Sequence, residues 1–380
     1  MPSTETRQII ARARRIVVKV GTNAICDARG RLDHQVVSDL ACQIAELTHR
    51  GVAVTLVASG AAGAGMAELD LAGRPKSLPM LQATCAVGQG QLMRVFHDAF
   101  AAHAVKVAQV LVTRDDFEHR MRYLNIRNTL TTLARLRAVP IINENDAVAV
   151  DELVDEHGQV AKHRFGDNDT IAALVTNMLG ADLLVLLSVV DGVMDGGEVL
   201  DLIEQVGAEA MSLVRSERSG LGSGGMGTKM SAAALVASAG SAAVIANGRL
   251  PNVLGRLLKG EKLGTVFVPA RRRLSSRRRW IGQAARPAGK IVIDEGAARA
   301  IQQQGKSLLP TGIRGVLGKF PRGATVAVID AAGGEIARGV VNYSSEQIDR
   351  IRGLKTAQVA KILGSKSYDE VIHRNNMTLT

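Results

Sequence analysis

Short apolar runs rich in β-branched residues alternate with longer segments rich in Ala and Leu from the start of the chain to about residue 268. The short runs predict strands, which span 15–20, 52–57, 105–112, 139–143, 182–189 and 242–247. The longer segments have helical spacing and predict helices, near 33–50, 79–103, 120–136, 168–179 and 228–239. Alternation of this kind requires βαβ crossovers, so it predicts an α/β fold with a mostly parallel sheet covered by helices on both faces.

A different pattern begins after the basic segment RRRLSSRRRW at 271–280. Short strand candidates follow, at 290–294, 325–330 and 337–343, and turns rich in glycine separate them. We therefore predict a larger α/β domain over 1–268, a basic linker over 269–282 and a small β-rich domain over 283–375.

Composition adds a description of the core and an expected location. Hydrophobic residues make up 46% of the 380 residues but aromatic residues only 3%, so the core is built from Ala, Val, Leu and Ile, which suits helices packed on a parallel sheet. The most apolar stretch, at 181–190, is too short to span a bilayer, and the N-terminus carries charges through Arg15 instead of an apolar signal segment. These features predict a soluble cytoplasmic protein with no membrane partner.

The cysteines and histidines predict neither disulfides nor a transition-metal site. Cys26, Cys42 and Cys85 have no C-x-x-C spacing, and the eight His residues form no ligand motif. This pattern favours free thiols in a reducing compartment.

The formal net charge of +11 suggests nucleic acid as one possible partner. Much of the excess lies in the segment 271–280, where the basic residues are not interleaved with stacking aromatic residues. A solvated linker is therefore the favoured interpretation, and RNA binding is kept as an alternative.

The segment GLGSGGMGTKM at 220–230 predicts a phosphate-binding loop that enters a helix. Glycines let backbone N–H groups converge on one anion, the helix adds its positive N-terminal end, and Lys229 adds a full charge. A flexible surface turn is the alternative. The loop is not a dinucleotide fingerprint, because no apolar strand directly precedes it, and it is not a Walker A loop, because Thr228 separates the last glycine from Lys229. The HRD and DFG motifs of protein kinases are absent.

Two strand ends supply further candidates, since ligands of parallel sheets bind beyond the carboxyl ends of the strands. Lys19 lies inside the apolar first strand with Gly21 beside it, and burial of its charge calls for an anionic partner. Its alternative is a strand-edge lysine with its amine in water. Ser59 opens the small-residue segment 58–65, which suits a carboxylate-binding nest, although an N-cap role explains the serine equally well.

Two polar segments complete the set. NENDAV at 143–148 follows a strand directly and suits an ammonium group, a metal ion or both. FGDND at 165–169 starts a helix, where at most one of its three polar residues is needed as a cap. Lysines, carboxylates and backbone amides of this kind suit phosphoryl transfer, and a carboxylate acceptor would need no general base because it is already ionised at neutral pH.

Taken together, these segments resemble the amino acid kinase family over nearly the whole chain. The resemblance rests on KVGT at 19–22, SGAAGAG at 59–65, AVGQGQLM at 86–93, NENDAV at 143–148, FGDND at 165–169 and SGLGSGGMGTKM at 219–230. The tail resembles a PUA domain in GKSLLPTG at 305–312, ARGVVNYSS at 337–345 and EVIHRNNM at 370–377.

The resemblance implies a three-layer αβα sandwich, with an open sheet, that transfers the γ-phosphoryl group of ATP to the side-chain carboxylate of L-glutamate. The product would be L-glutamyl 5-phosphate, in the first step of proline biosynthesis. Sibling kinases with another amino-acid or nucleotide acceptor are the alternative. The implied partners also include Mg²⁺ held mainly by the ATP phosphates, proline as a feedback inhibitor, and further copies of the chain in a homo-oligomer.

The resemblance also implies roles for individual residues. Lys19 and Lys229 would contact the transferring phosphates, and Asp169 would orient both lysines. The residues expected to hold glutamate are Ser59, Asp146 and Asn168, followed by Asn143 and Asp167. The residues expected to hold ATP are Lys19, Ser188, Val189, Ser223, Gly224, Gly225, Met226, Gly227, Thr228 and Lys229.

One departure from the family pattern concerns the nucleotide side. The family commonly has Thr-Asp after the strand that ends here at Leu187, whereas this chain has Ser188 and Val189, with Asp191 two residues farther on. Nucleotide preference is therefore less well defined than phosphate binding. The segment 195–200 is short for the family and predicts a trimmed hairpin.

Overall fold

The computed structural model describes residues 3–27, 31–149, 167–204, 225–270, 273–355, 358–364 and 368–379. The chain divides into two compact units. The first contains Met1–Asp116 and Leu124–Arg273, and the second contains Phe117–Tyr123 and Leu274–Thr380. Among the described residues, no helix is both long enough and apolar enough to cross a membrane.

The first unit is built on an eight-stranded sheet with the order β3-β4-β2-β1-β5-β9-β10-β8. The strands of this unit are β1 (Arg15–Val20), β2 (Ala53–Ala58), β3 (Lys106–Val112), β4 (Ala138–Glu144), β5 (Leu183–Ser188), β6 (Met194–Asp195), β7 (Glu198–Val199), β8 (Leu202–Ile203), β9 (Ala242–Asn247) and β10 (Thr265–Phe267). Neighbouring strands are parallel except β9 and β10. The six predicted strands are confirmed, and β8 and β10 extend the sheet beyond them.

Helices lie along both faces of this sheet. The helices up to residue 257 are α1 (Ser3–Ala11), α2 (Thr22–Ile25), α3 (His34–His49), α4 (Ala61–Glu68), α5 (Leu78–Ala101), α6 (Arg114–Glu118), α7 (Arg120–Arg135), α8 (Asp167–Leu179), α9 (Gly225–Ser238) and α10 (Val253–Leu257). The end of α6 and the start of α7 fall in Phe117–Tyr123, which belongs to the second unit. The five predicted helices are confirmed, which establishes the expected α/β class. Helix α3 begins where the side chain of Asp33 accepts hydrogen bonds from the backbone of Gln35 and Val36.

Helices α4 and α5 cross with their backbones in contact. A Cβ atom on Gly65 would lie 1.8 Å from the carbonyl oxygen of Thr84, and one on Gly88 would lie 1.8 Å from that of Ala61. Only glycine fits at these two positions, so this crossing holds the start of α4 close to the middle of α5.

The second unit has a five-stranded sheet with the order β12-β11-β13-β14-β15. Its elements are α11 (Ser276–Arg279), a π-helical turn (Trp280–Ala284), β11 (Lys290–Ile293), α12 (Glu295–Gln304), β12 (Ile313–Leu317), β13 (Thr325–Ile329), β14 (Glu335–Val340), α13 (Ser345–Ile351), α14 (Val359–Leu363) and β15 (Met377–Leu379). The three predicted strands are confirmed. Two further strands, β12 and β15, lie at the edges of the sheet.

Trp280 anchors the short segment Phe117–Tyr123 within this second unit. Its indole nitrogen donates to the carbonyl of Phe117 at 3.1 Å, and its ring lies 6.3 Å from that of Tyr123. The guanidinium of Arg120 stacks over the Trp280 ring at 4.9 Å.

Candidate active site

Strand β1 brings Lys19 to one face of the sheet. Ile16, Val18 and Val20 belong to the core cluster that packs against α3 and α5. Because side chains alternate along a strand, Lys19 lies on the opposite face, close to the carboxyl end of β1. Helix α8 contacts β1 on that face, and its first turn carries Asp169.

Asp169 joins two lysines that are 210 positions apart in the chain. One carboxylate oxygen, Oδ1, lies 2.7 Å from Nζ of Lys19, and the other, Oδ2, lies 3.2 Å from Nζ of Lys229. Thr228 also donates its hydroxyl to Oδ2 at 2.9 Å. Asp169 is fully buried and the two lysines are 5% and 8% exposed, so the three charges interact in a poorly solvated environment.

These burial and charge effects shift the ionisation of the cluster. Burial lowers the pKa of Lys19, the Asp169 carboxylate opposes that shift, and Lys229 adds to it. Burial alone would raise the pKa of Asp169, but Lys19 and Lys229 outweigh it and hold this pKa below its usual value. Two ammonium groups facing one carboxylate leave an excess of buried positive charge, which an anion such as a phosphate group would neutralise.

Helix α9 starts earlier than the glycine pattern predicts. Gly225, Met226 and Gly227 form its first turn instead of a loop, and the backbone N–H groups of a first turn have no partner within the helix. Lys229 also donates to the carbonyl of Gly225 at 3.0 Å. Ser223 and Gly224, both predicted to hold ATP, lie outside the described residues.

A chain of amide groups lies next to Asp169. Asn168, the preceding residue in α8, donates through Nδ2 to Oγ of Ser59 at 3.1 Å and to Oδ1 of Asn143 at 3.1 Å. Nδ2 of Asn143 donates to Oε1 of Gln89, in α5, at 2.8 Å. Oδ1 of Asn168 is buried and has no hydrogen-bond partner within the described parts of the chain.

Asp146 lies three residues after Asn143, beside Cys85 of α5. Burial raises the pKa of Asp146 to about 6, while a hydrogen bond from Cys85 and the charge of Arg74 lower it. Burial, followed by the charge of Asp146, raises the pKa of Cys85 to about 12. The thiol therefore keeps its proton at neutral pH and acts as a donor to the carboxylate.

The predicted nucleotide side is more exposed. Ser188 ends β5, and Val189 is 42% exposed. Asp191 accepts a hydrogen bond from Nδ2 of Asn247 at 2.9 Å, next to the end of β9. Strands β6 and β7 form a hairpin whose two-residue turn is Gly196–Gly197, both with positive φ. The short hairpin expected over 195–200 is therefore present.

The structure brings the predicted residues together in two adjoining groups. Lys19, Asp169, Thr228 and Lys229 form the charged group, and Ser59, Asn143 and Asn168 form the amide group. Consecutive residues of α8 join the two groups. Asp146 lies beside Cys85 of α5, two residues after the end of β4, and the side chain of Asp167 lies outside the described residues.

Sequence reasoning missed Gln89 and Cys85. Both lie in the Ala- and Val-rich part of α5 and four positions apart, so they share one face of that helix. The sequence shows only a glutamine within an apolar helical segment; that Gln89 is buried and bonded to Asn143, 54 positions away, is seen only in the structure.

Among the described residues, no group of three or more His, Cys, Asp or Glu side chains is arranged to hold a metal ion. Asp169, the buried carboxylate in the charged group, contacts two lysines.

Comparison with known proteins places the chain in a class. The family model "Amino acid kinase family" matches residues 14–247, and the model "PUA domain" matches residues 289–363. Glutamate 5-kinase from Caldanaerobacter subterraneus subsp. tengcongensis is 44% identical over 372 residues, which cover 96% of this chain and 97% of that protein. Glutamate 5-kinase from Citrifermentans bemidjiense is 43% identical over 380 residues, 98% of this chain and 99% of that protein.

A more distant relative extends the same comparison. Glutamate 5-kinase from Geobacter sulfurreducens is 42% identical over 378 residues, 98% of this chain and 99% of that protein. The solved structure titled "Carbamate kinase from Giardia lamblia bound to AMP-PNP" is only 18% identical, with a TM-score of 0.48 over 68% of this chain and 100% of that chain. The chain belongs to the amino acid kinase family and, within it, to the family of the glutamate 5-kinases.

Proposed function

We propose that this chain transfers the γ-phosphoryl group of ATP to the side-chain carboxylate of L-glutamate. The observation that carries the proposal is the pair of buried ammonium groups on the two oxygens of Asp169. They lie directly beside the side chain of Asn168, which belongs to the amide group. A site for the transferring phosphates thus adjoins a site for a polar amino acid.

The charged group supplies what phosphoryl transfer needs most. Charge spreads over the oxygens of the transferred group in the transition state, and fixed cations in a water-poor site stabilise it. Lys19 and Lys229 provide two such cations, and Asp169 holds both amines in position. The glutamate carboxylate is already ionised at neutral pH and attacks the phosphorus directly, so no general base is needed.

The amide group and Asp146 would bind the amino-acid end of glutamate. The unpartnered Oδ1 of Asn168 offers an acceptor, and the Asp146 carboxylate offers a negative charge; both suit an ammonium group. Ser59 and the backbone N–H groups at the start of α4 would face a carboxylate. Asn143 orients Asn168, and Asp167 is kept as a further candidate.

The nucleotide would lie between the end of β5, with Ser188 and Val189, and the start of α9. Ser223 to Lys229 would surround its phosphates, with Thr228 beside Asp169. Mg²⁺ bound to those phosphates would neutralise part of their charge. Four further proposals rest on the family resemblance. They are inhibition by proline, assembly into a homo-oligomer, a location in the cytoplasm, and RNA binding through the second unit.

A hydroxylamine trap tests the proposed reaction. The purified chain with MgATP and glutamate should form a hydroxamate, because hydroxylamine captures acyl phosphates. Lys229→Met should lower kcat by about 100-fold or more through the loss of one fixed cation, whereas Lys106→Met, at an exposed position of β3, should leave it unchanged.

The alternative acceptors give a different result. Turnover with aspartate or acetylglutamate, without any hydroxamate from glutamate, would assign the chain to a sibling reaction. Retention of structured RNA by the full chain, lost at high salt, would support the additional RNA partner.

A further inference from the structure

Asp191 lies in the loop after β5, and hydrogen bonds anchor the backbone of this loop on both sides of it. Before Asp191, the carbonyl of Ser188 accepts from the N–H of Gly248 at 2.8 Å. After Asp191, the N–H of Val193 donates to the hydroxyl oxygen of Thr265 at 2.8 Å. The neighbouring strands β9 and β10 therefore set the position of Asp191 without any ligand.

Asn247, the last residue of β9, orients the carboxylate of Asp191. The backbone N–H of Arg249 can only donate, so the Asn247 atom that it meets at 2.9 Å is the acceptor Oδ1. The other amide atom of Asn247, Nδ2, donates to Oδ1 of Asp191 at 2.9 Å. Because Asn247 engages this one oxygen and Asp191 is exposed, Oδ2 of the carboxylate is open to a donor from a ligand.

This loop lies at the same edge of the sheet as the charged group. Strands β1, β5 and β9 are parallel neighbours, so their carboxyl ends share that edge. Adjacent strands lie about 4.8 Å apart, which places the end of β9 about 10 Å across the sheet from β1 and Lys19. Helix α9, which carries Lys229, contacts both β5 and β9. Since an extended triphosphate covers a similar distance, a nucleotide with its terminal phosphate at the two lysines would have its ribose near Asp191.

The chemistry of Asp191 suits a ribose. The two vicinal hydroxyl groups of the sugar are hydrogen-bond donors, and a carboxylate beyond a strand end binds the ribose in other α/β nucleotide sites. Val189 and Val190, at 42% and 39% exposure, have no polar side-chain atom. Of residues 189–191, Asp191 is therefore the one that presents a side-chain acceptor to a nucleotide.

We propose that Asp191, held by Asn247, is a specificity-determining residue for the nucleotide: its carboxylate accepts hydrogen bonds from the ribose hydroxyl groups of ATP. This role rests on the proposed function and adds recognition of the sugar to it. A site that pairs with a ligand hydroxyl discriminates against an analogue that lacks it. The chain therefore prefers ATP to dideoxy-ATP, the analogue that lacks both ribose hydroxyl groups.

The test compares three variants of the full chain. Asp191→Ala removes the carboxylate, whereas Asp191→Asn keeps an acceptor for Nδ2 of Asn247 and replaces the open oxygen with a donor. Asp195→Ala is the matched control, because it removes an exposed carboxylate from the β6–β7 hairpin that follows the same loop. Calorimetry gives the Kd of MgATP and of Mg-dideoxy-ATP for each protein, and thermal unfolding reports on the fold.

We expect the unmodified chain to bind MgATP about tenfold more tightly than Mg-dideoxy-ATP. Asp191→Ala should weaken MgATP binding by about tenfold and change the Kd of Mg-dideoxy-ATP by less than twofold. Asp191→Asn should lose most of the preference with an unchanged Tm, because its bond to Asn247 remains, and Asp195→Ala should keep the preference. An equal loss of affinity for both nucleotides in Asp191→Ala and Asp191→Asn would contradict the proposal.

Other results would also overturn it. If Asp191→Ala and Asp191→Asn keep the preference for ATP, or if Asp195→Ala loses it to the same degree, the carboxylate of Asp191 does not bind the ribose. If the unmodified chain binds both nucleotides equally well, the role of Asp191 alone fails. If it binds neither nucleotide, the proposed function fails as well, which separates the two failures.

Discussion

Asp169→Asn removes the negative charge that is paired with the two buried ammonium groups of Lys19 and Lys229. The Nζ–Oδ distances are 2.7 Å for Lys19 and 3.2 Å for Lys229. At these separations each attraction would amount to about 5–6 kcal/mol at an effective dielectric constant of about 20, before the cost of desolvation is subtracted. Removal of one partner from a buried ion pair typically lowers the free energy of unfolding by about 3–5 kcal/mol.

We therefore expect Asp169→Asn to lower the Tm by roughly 10 °C and kcat by about 100-fold or more. Lys229→Met gives the matched comparison, because it removes the excess positive charge and leaves Lys19 paired with Asp169. It should lose activity to a similar degree, but its Tm should stay within about 3 °C of the unmodified chain.

Thermal and urea unfolding of the two variants, with and without pyrophosphate, measures this contrast. Pyrophosphate should raise the Tm of Asp169→Asn more than that of Lys229→Met, since the anion replaces the missing negative charge. Equal loss of stability in both variants, or an unchanged Tm for Asp169→Asn, would refute the charge arrangement described here.

Three further predictions concern the amino-acid side of the site. The KM for glutamate should rise as pH falls through about 6, which is the raised pKa of Asp146. Asp146→Asn should abolish this pH dependence. The same pH profile of KM in Asp146→Asn and in the unmodified chain would contradict the prediction. Because the pKa is raised in the folded state, the contribution of Asp146 to stability is present below its ordinary value of 3.8 and is lost as pH rises through about 6. Cys85→Val should move the midpoint of that KM profile to higher pH, because the hydrogen bond from the thiol lowers the pKa of Asp146. Cys85→Ser should keep the midpoint near 6, since a hydroxyl can donate in place of the thiol. The same midpoint in the Val and Ser variants would exclude the hydrogen bond. Gly88→Ala should raise the KM for glutamate and lower the Tm, since its Cβ would lie 1.8 Å from a backbone oxygen. Gly90→Ala, whose Cβ would have nothing within 4 Å, should raise the free energy of unfolding by about 0.5–1 kcal/mol. Similar effects of the two changes would contradict the close helix crossing.

The sequence pattern was sufficient for most of the larger sheet and its long helices, because the strands are continuous apolar runs and the helices have regular spacing. It was insufficient for α4, whose segment AAGAGMAE is so rich in small residues that it resembles a loop. The short strands β8, β10, β12 and β15 also escaped prediction, because two to five residues carry too little periodicity.

Lys19, Asn143 and Asp169 could be proposed from the sequence because they lie near the carboxyl end of a strand or in the first turn of a helix; their roles in a site stay predictions. The start of α9 was placed three residues too late, because glycine disfavours helix interiors but is tolerated in a first turn. Gln89 could not be found in this way, since its contact with Asn143 depends on the crossing of α4 and α5 and on tertiary packing.

The most direct measurement is a structure of the full chain with a non-hydrolysable ATP analogue and glutamate bound. We expect the ammonium groups of Lys19 and Lys229 both to lie about 3 Å from oxygens of the terminal phosphate, with the glutamate side-chain carboxylate facing the phosphorus. A nucleotide whose terminal phosphate contacts neither lysine, with both amines still paired only to Asp169, would contradict it.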